Sequence, residues 1–365
     1  MKQEITHIIY SFALAGLLAA FGACSDDNMS EAPVEGERRL TINYTIPGSK
    51  VQTRTEGEAR DKGQTRDGIV SNDTESAVKR MDLIYFESDI HNNGTFVVHQ
   101  TITENYDLKK NTFTTPLPAG VETSKAYQVL IIANLDKYIS NDKLATYCES
   151  FKGFQSYNQA WNELRAALPN NSGQYTYPDD LLMSGTATKP AGKDELNFEL
   201  LRAAVRIDVK VAADKGITLA SARLCNLPAT VPFFRTGETE SEKGLYVNAA
   251  KQTATSAALY AFENILDVTA PLTRINRATC LLLQVDKASS GYSTANWYRV
   301  GLNIMNGLQQ LKRNHVYTVT LTDVTAAGAK TKEEAYNSAS FLPSSIIIKE
   351  FTGGGTYTEG DFEFQ

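Results

Sequence analysis

The segment Leu40-Thr41-Ile42-Asn43-Tyr44-Thr45-Ile46, followed by Pro47-Gly48, decides the fold class of this chain. Its apolar side chains alternate with polar ones and are therefore predicted to share one face of a half-buried β-strand. Proline and glycine end the strand. The side chains predicted to lie on the buried face are Leu40, Ile42, Tyr44 and Ile46.

Short predicted strands continue along the chain, separated by clusters of Gly, Pro, Asn and Ser. The apolar run Tyr127–Asn134 predicts a central strand that is buried on both faces. One helix is predicted from Ser156 to Leu168. Ser156 and Gln159 have the spacing of a capping box, and Pro169 ends the helical pattern. Strands with so few helices between them favour mainly β, antiparallel sandwiches over a doubly wound α/β fold.

The first residues have the layout of an export signal. Lys2 precedes an apolar run, Ile8–Ala23, that is too short to span a bilayer comfortably as a mature helix. Small residues stand just before Cys24, which resembles a lipoprotein signal whose cysteine becomes the acylated N-terminus, although Phe21 stands where Leu is usual. Residues 1–23 are therefore predicted to be a lipoprotein signal peptide. The alternative is an ordinary signal peptide in which Cys24 has no role.

A polar segment separates the first strand from the rest of its domain. Residues 49–75 contain almost no apolar side chains and are predicted to form an exposed loop that proteases can reach. Arg54, Arg60 and Arg66 lie in this loop beyond the strand, so a cut after any of them would release the strand. Cleavage between Arg54 and Thr55 is preferred because it is the first of these sites; the other two remain alternatives.

The C-terminal tail is a second isolated strand-like segment. Phe341–Pro343 precedes a β-prone apolar stretch, and Gly353–Gly355 provides a hinge or turn after it. A tail of this kind favours pairing outside its own sheet. The residues predicted to make the donor contacts are Ile346, Ile347, Ile348 and Phe351.

The composition argues against several functional classes. The chain has 365 residues, a net charge of -6 and no long basic block, which argues against nucleic-acid binding. Only four His and four Cys are present, and no nucleophile elbow, P-loop, Rossmann or metalloprotease motif occurs. No enzyme, catalytic residue, metal site or cofactor is predicted. The three cysteines other than Cys24 are predicted to be buried free thiols, with one disulfide left open.

A series of segments resembles the FimA-type fimbrillins, the type V pilins of Bacteroidales. The resemblance covers nearly the whole chain, and the order and spacing of the segments carry it. After the lipoprotein-like start and the first strand with its Arg-containing loop, the segments are Met81–Phe86, Tyr127–Asn134, the Met183-Ser184-Gly185 turn, Leu201–Ile207 and Lys312–Tyr317.

The resemblance implies two Greek-key, transthyretin-like β-sandwich domains and a specific assembly mechanism. Such proteins reach the surface as outer-membrane lipoproteins, and an Arg-specific surface protease then removes an N-terminal segment with the first strand. A strand from another subunit fills the groove, and the resulting filament supports adhesion or biofilm formation. The implied partners are other fimbrial subunits, the protease and, before processing, the outer membrane.

Among fimbrial roles, the preferred one is a polymerising subunit, since a tip subunit needs no donor tail. The alternatives are an anchor or accessory subunit that keeps its lipid, a surface glycan-binding lipoprotein with an exposed aromatic platform, and a hydrolase. The chain is predicted to have five parts: a signal peptide (1–23), a prosegment with the removable strand (24–54), an N-terminal sandwich with one short helix (55–192), a C-terminal sandwich (193–338) and a donor-strand tail (339–365).

Overall fold

A computed structural model describes the chain between Arg38 and Glu350, with gaps. The signal peptide, Cys24, the pair Arg54 and Thr55, and Phe351 lie outside the described residues. The described ranges are 38–47, 73–88, 94–103, 108, 110–152, 156–168, 170–171, 174–175, 177, 179–234, 242–265, 278–287, 296–302, 310–324, 327–337 and 344–350.

The first sandwich is built from a three-stranded and a five-stranded sheet whose inner faces share one apolar core. Strands are numbered here in chain order. The smaller sheet has the order β10 (Glu195–Glu199), β1 (Arg39–Thr45), β4 (Thr112–Pro116). The larger sheet has the order β11 (Leu201–Arg202), β9 (Met183–Lys189), β5 (Tyr127–Ala133), β2 (Met81–Glu87), β3 (Thr95–Ile102).

The prediction that the run ending at Asn134 forms a central strand is confirmed. β5 pairs with β9 on one edge and with β2 on the other. Val129 and Ile131 point into the core of the first sandwich, whereas Leu130 and Ile132 belong to the second apolar core. All four side chains are fully buried, which is why the segment has no polar face.

The second sandwich pairs a five-stranded with a six-stranded sheet. Alternate side chains from both sheets meet in one core. The first sheet has the order β16 (Lys251–Gln252), β17 (Ser256–Phe262), β12 (Ala204–Val211), β22 (His315–Leu321), β23 (Ser344–Glu350). The second has the order β20 (Asn296–Gly301), β19 (Cys280–Lys287), β13 (Ile217–Leu227), β15 (Glu242–Asn248), β8 (Gln174–Tyr175), β7 (Asn170–Asn171). Two small ribbons pair β6 (Arg165–Ala167) with β14 (Thr230–Pro232) and β18 (Asn264–Ile265) with β21 (Gln310–Leu311).

In the part of the chain that the structure describes, the helices are few and short. The predicted helix at Ser156 is present as α2 (Ser156–Glu163), but it ends before Leu168 because the next residues form β6 and pair with β14. A further helix, α1 (Asn141–Ser150), begins after Ser140, whose side chain accepts a hydrogen bond from the Lys143 backbone N–H. The other helices are α3 (Lys332–Asn337) and 3₁₀ turns at Asp73–Ser76, Leu135–Lys137 and Ala213–Lys215. None of the helices in the described part of the chain has the length and apolar character to cross a bilayer.

The predicted fold class, a mainly β sandwich fold, is confirmed. Most strand pairs are antiparallel, but β1–β10, β12–β22 and β15–β8 are parallel. Each parallel pair joins strands that are distant in the sequence, as parallel pairing requires a long connection.

Strand pairing carries the first sandwich past residues 192–193, where the sequence placed the boundary. β10 pairs with β1, and β11 pairs with β9. In the opposite direction, β7 and β8 extend a sheet of the second sandwich through the pairing of β8 with β15. Short strands on each side of the predicted boundary therefore belong to the sandwich on the other side of it.

The interpretation of Met183-Ser184-Gly185 as a turn is wrong. These residues begin β9 and pair with Ile131–Ala133 of β5. Gly185 serves a close approach of two backbones, since a Cβ at this position would lie 2.2 Å from the carbonyl oxygen of Glu199. The glycine is needed for packing within the sandwich.

Candidate functional site

The first strand, β1, lies at the centre of its sheet. It pairs in parallel with β10, with Thr41 opposite Glu195 and Thr45 opposite Glu199. On its other edge it pairs antiparallel with β4. Removal of β1 would leave a gap between two strands that do not touch each other, and the backbone groups facing that gap would lose their partners. This gap is called the β1 groove below.

The inner face of β1 fills the core of the first sandwich. Leu40 and Ile42 are completely buried, Tyr44 is 4% exposed, and Ile46, which directly follows the strand, is 6% exposed. The ring of Tyr44 stacks on Phe198 of β10 at 5.9 Å, and its hydroxyl donates to the backbone oxygen of Leu108. The alternation in the sequence predicted this face correctly, since all four apolar residues belong to one core.

The outer face of β1 carries a polar contact with β10. The side-chain amide of Asn43 donates to Glu195 Oε1 and to Asn197 Oδ1, both at 2.9 Å. Backbone bonds continue beyond the ladder, from Thr41 N–H to Asp194 O at 3.0 Å and from Leu200 N–H to Thr45 O at 2.8 Å. The apolar face and these polar contacts together specify one register for the strand in the β1 groove.

Arg202 fastens the end of β1 to the body of the protein. Its side chain is 1% exposed, and one guanidinium nitrogen donates to Pro47 O at 2.6 Å. The other two nitrogens donate to Glu75 O at 2.8 Å and Ser76 Oγ at 2.7 Å. Burial lowers the pKa of Arg202 to about 10, which still leaves the group ionised at neutral pH. A single side chain thus holds both chain ends that flank residues 48–72, where Arg54 lies.

Glu75 is itself held in a buried ionic cluster. Its carboxylate accepts from Arg206 at 2.9 Å and from the hydroxyl of Tyr260. Arg206 also bonds to Asp208 at 2.7 Å. The chain that follows residues 48–72 is therefore anchored to β12 and β17 of the second sandwich through Glu75. Arg202 links the end of β1 to this same segment.

We expect Arg202→Met to loosen β1 specifically. The variant leaves the buried oxygen of Glu75 and the part-buried oxygen of Pro47 without their charged donor, and an unsatisfied buried group costs about 1–3 kcal/mol of unfolding free energy. Hydrogen–deuterium exchange should become faster at the backbone amides of β1, and chemical denaturation should show the loss of stability. Arg39→Met is the matched control, because the Arg39 side chain is exposed and its loss should change stability by no more than about 0.5 kcal/mol. Unchanged exchange in β1 would show that Arg202 does not hold the strand.

The predicted donor residues lie in a different sheet from β1. Ile346, Ile347 and Ile348 are part of β23, which pairs antiparallel with β22 over its whole length. In this sheet order β23 is the last strand, so β22 is its neighbour on one side and its other edge carries no strand among the described residues. The structure therefore places the tail at a sheet edge of the second sandwich and β1 inside the first.

One cluster has residue types that occur in catalytic sites. Asp82 of β2 is fully buried and accepts from Arg80, from Thr101 at 2.8 Å and from His99 Nε2 at 2.9 Å. Burial alone would raise the pKa of Asp82, but the hydrogen bonds with His99 and Arg80 hold it below its usual value. The same Nε2 of His99 faces both Asp82 and Thr101, whereas a catalytic triad uses opposite ring nitrogens for acid and nucleophile. The cluster ties the edge strand β3 to β2.

Other polar residues of types found in functional sites have structural contacts. Asp180 forms an ion pair with Lys79 at 2.8 Å, and the imidazole Nδ1 of His315 lies 2.8 Å from the backbone oxygen of Arg313. Burial raises the pKa of the Cys148 thiol to about 12, which removes its nucleophilic form at neutral pH. Among the described residues, no group of three or more His, Cys, Asp and Glu is placed to hold a metal ion.

The sequence reasoning missed Arg202 and β10 as parts of the site. The only signal for Arg202 is its position in the otherwise apolar stretch Leu200–Val205, where a charged residue predicts a buried, fully bonded group. β10 has a short alternating pattern that is typical of a strand, but this pattern does not reveal that it pairs with β1.

Comparisons with known proteins identify the fold. No protein-family model matches the sequence, and no curated protein matches it. Solved structures do: the tip fimbrial protein Mfa3 from Porphyromonas gingivalis, with a C-terminal truncation, aligns with a TM-score of 0.52 at 15% identity over 76% of this chain and 96% of its own. A candidate cell adhesion protein from Bacteroides eggerthii aligns at 0.51 and 19% identity, over 86% and 96% of the two chains. Another from Parabacteroides distasonis aligns at 0.50 and 13%, over 88% and 98%. The chain therefore has the β-sandwich fold of these fimbrial and adhesion proteins.

Proposed function

We propose that this chain is a structural subunit of a surface fimbria, a type V pilus. In this proposal the chain is exported as an outer-membrane lipoprotein through Cys24 and is then cut by an Arg-specific protease between Arg54 and Thr55. The fragment that carries β1 leaves, and the tail of a neighbouring subunit enters the β1 groove. Because the groove and the tail belong to different parts of the chain, the contacts repeat head to tail and do not close, which builds a filament.

The central, buried position of β1 is the observation that carries this proposal. Loss of a strand at a sheet edge exposes one neighbouring strand, whereas β1 has a hydrogen-bonded neighbour on each side. Each apolar side chain that a new strand returns to the groove contributes about 1.5–3 kcal/mol before the cost of ordering that strand. Backbone hydrogen bonds contribute about 0.5–1.5 kcal/mol each. An incoming strand thus gains both apolar contacts and main-chain bonds, as in other cases of strand addition.

The tail fits the role of donor by length and by position. β23 has 7 residues, the same number as β1. It is held in its own sheet by β22, which keeps β12 as a partner when β23 departs. The transfer of β23 to another subunit therefore disrupts one edge pairing and creates pairing on two edges.

The fold supports a fimbrial role over the glycan-binding alternative. Similar solved structures include a tip fimbrial protein and candidate cell adhesion proteins. The two Trp residues do not offer an exposed platform: Trp161 is half-buried and stacks on Phe234 at 5.6 Å, and Trp297 is half-buried against the cluster around Cys225 and Cys280. An anchor or accessory subunit that keeps its lipid remains the second form of the same function.

The N-terminus of the surface-assembled protein tests this proposal directly. We expect sequencing to find Thr55 as the first residue, and Arg54→Ala to slow conversion of the precursor to the shorter form. Arg60→Ala and Arg66→Ala are matched controls in the same predicted loop and should be processed normally. If Arg54→Ala is processed at the normal rate, the cut lies at one of the two other sites. A surface protein that still begins with acylated Cys24 would instead identify a lipid-anchored subunit.

A further inference from the structure

Two cysteines lie directly opposite each other in the second sandwich. Cys225 of β13 and Cys280 of β19 are register partners in an antiparallel pair. Their sulfur atoms are 2.8 Å apart, and the Cys225 sulfur is also 3.3 Å from the backbone oxygen of Cys280. Both residues are free thiols in the structure, with exposures of 0% and 1%.

The strand pairing places the two cysteines within the Cα separation that a disulfide bond spans. Directly opposed residues of an antiparallel pair have Cα atoms about 4.5–5.5 Å apart. Disulfides span Cα distances of about 4.4–6.8 Å, with the sulfurs at about 2.03–2.05 Å. The two thiols therefore need a small side-chain rotation and no separation of the strands to become bonded.

We propose that Cys225 and Cys280 form a cross-strand disulfide when the chain reaches an oxidising compartment. Only the compartment depends on the proposed function, since a surface protein passes through an environment where disulfides persist. The oxidant is the active-site disulfide of an envelope thiol oxidase. One cysteine thiolate attacks that disulfide and releases one oxidase thiolate; the second cysteine then attacks the mixed disulfide and releases the other. The two cysteines lose two electrons and two protons, and the oxidase is reduced to a dithiol.

The two thiols have different surroundings in the folded protein. A hydrogen bond from Cys225 lowers the pKa of the Cys280 thiol against the effect of burial, and the nearby Arg299 guanidinium acts in the same direction. Burial and the bond to Cys280 raise the pKa of Cys225.

A short C-terminal segment covers the pair in the folded protein. Ala335 and Tyr336 of α3 pack on the two cysteines. Tyr336 is fixed by its hydroxyl, which donates to Asn226 Oδ1 at 2.7 Å, and by its backbone oxygen, which accepts from Arg299 at 2.8 Å. An oxidase cannot reach buried sulfurs, so the exchange takes place before α3 docks. The finished disulfide is then protected from reductants by the same cover.

Peptide mapping of the surface-exported full chain tests the proposal. Cells are quenched with iodoacetamide in denaturant, and the isolated protein is digested without reduction. We expect the peptides that contain Cys225 and Cys280 to be joined, and Cys148 to be alkylated. Recovery of both cysteines in alkylated form would overturn the proposal. If the chain polymerises and both thiols are found alkylated, this inference is wrong and the proposed function is unaffected. If the two peptides are joined but the chain never polymerises, the result counts only against the proposed function.

Matched variants and a stability measurement complete the test. Cys148→Ala should keep the joined peptides, because Cys148 packs in another core, and Cys280→Ala should abolish them. Unfolding, reduction with a phosphine and refolding of the purified chain should lower Tm by roughly 5–10 °C relative to a sample refolded with oxidised glutathione. Equal Tm values for the two samples, with the two cysteine peptides unjoined after oxidative refolding, would overturn the proposal.

Discussion

A chain that begins at Thr55 is expected to be much less stable than one that begins at Ser25, and a peptide of residues 38–47 should restore its stability. Loss of β1 removes the buried side chains of Leu40 and Ile42 and opens two strand edges. We expect Tm to fall by roughly 10 °C or more, since each kcal/mol shifts Tm by about 2–4 °C in a domain of this size.

The peptide experiment separates the β1 groove from a general loss of stability. At a concentration of 100 times its Kd, a bound peptide adds about 2.7 kcal/mol to the unfolding free energy. The control peptide carries Ile42→Asp and should not rescue, because it would bury an unpaired carboxylate at a position with no exposure. A second control peptide carries Asn43→Asp and tests how far the polar contacts on the outer face of β1 contribute to the rescue of stability.

A peptide of residues 341–365 should compete with the β1 peptide for the same groove. Displacement of a labelled 38–47 peptide, measured by fluorescence anisotropy, would report this competition. If both peptides bind at the same time, or if the 38–47 peptide leaves Tm unchanged, the first strand is not a replaceable part of the fold.

The second large effect is expected from a chain that ends before Phe341. This chain lacks β23 and should fold as a monomer, because β22 keeps its parallel pairing with β12. It should not extend filaments, since it carries no donor strand. Circular dichroism and analytical ultracentrifugation check the fold and the monomeric state, and electron microscopy of the processed protein checks for filaments.

A chain that ends at Glu350 is the matched control for this truncation. It keeps β23 and lacks only the residues that follow it. Filaments from this control but not from the shorter chain would assign the donor function to β23. Filaments from the shorter chain at the normal level would contradict the donor role of the tail altogether.

The local pattern of the chain predicts its individual strands well. The alternation of Leu40, Ile42, Tyr44 and Ile46 identified a buried face, and the continuous apolar run of β5 identified a strand covered on both sides. Both predictions hold because a strand that is buried on one face has apolar residues at alternate positions, and a strand that is buried on both faces has them at successive positions.

The end of α2 and the nature of Met183–Gly185 were predicted incorrectly for one reason. Helical spacing continues to Leu168, but pairing of β6 with β14 takes the last residues into a ribbon. Glycine after Met183 and Ser184 suggested a turn, whereas the backbone of Glu199 lies against it in the folded chain. In each case a contact with a distant segment overrode the local preference.

From the order of its residues alone, this chain is predicted to be mainly β, and the strand segments and the buried side chains of β1 are predicted as well. The folded structure was needed to show that β1 lies between β10 and β4, that Arg202 binds the end of this strand, and that Cys225 is opposite Cys280. Strand periodicity is set by neighbouring residues, so it can be read along the chain. Pairing joins groups as distant as Thr41 and Glu195, and their hydrogen bonds form between backbones that are chemically alike, so the residue order alone does not select the partners.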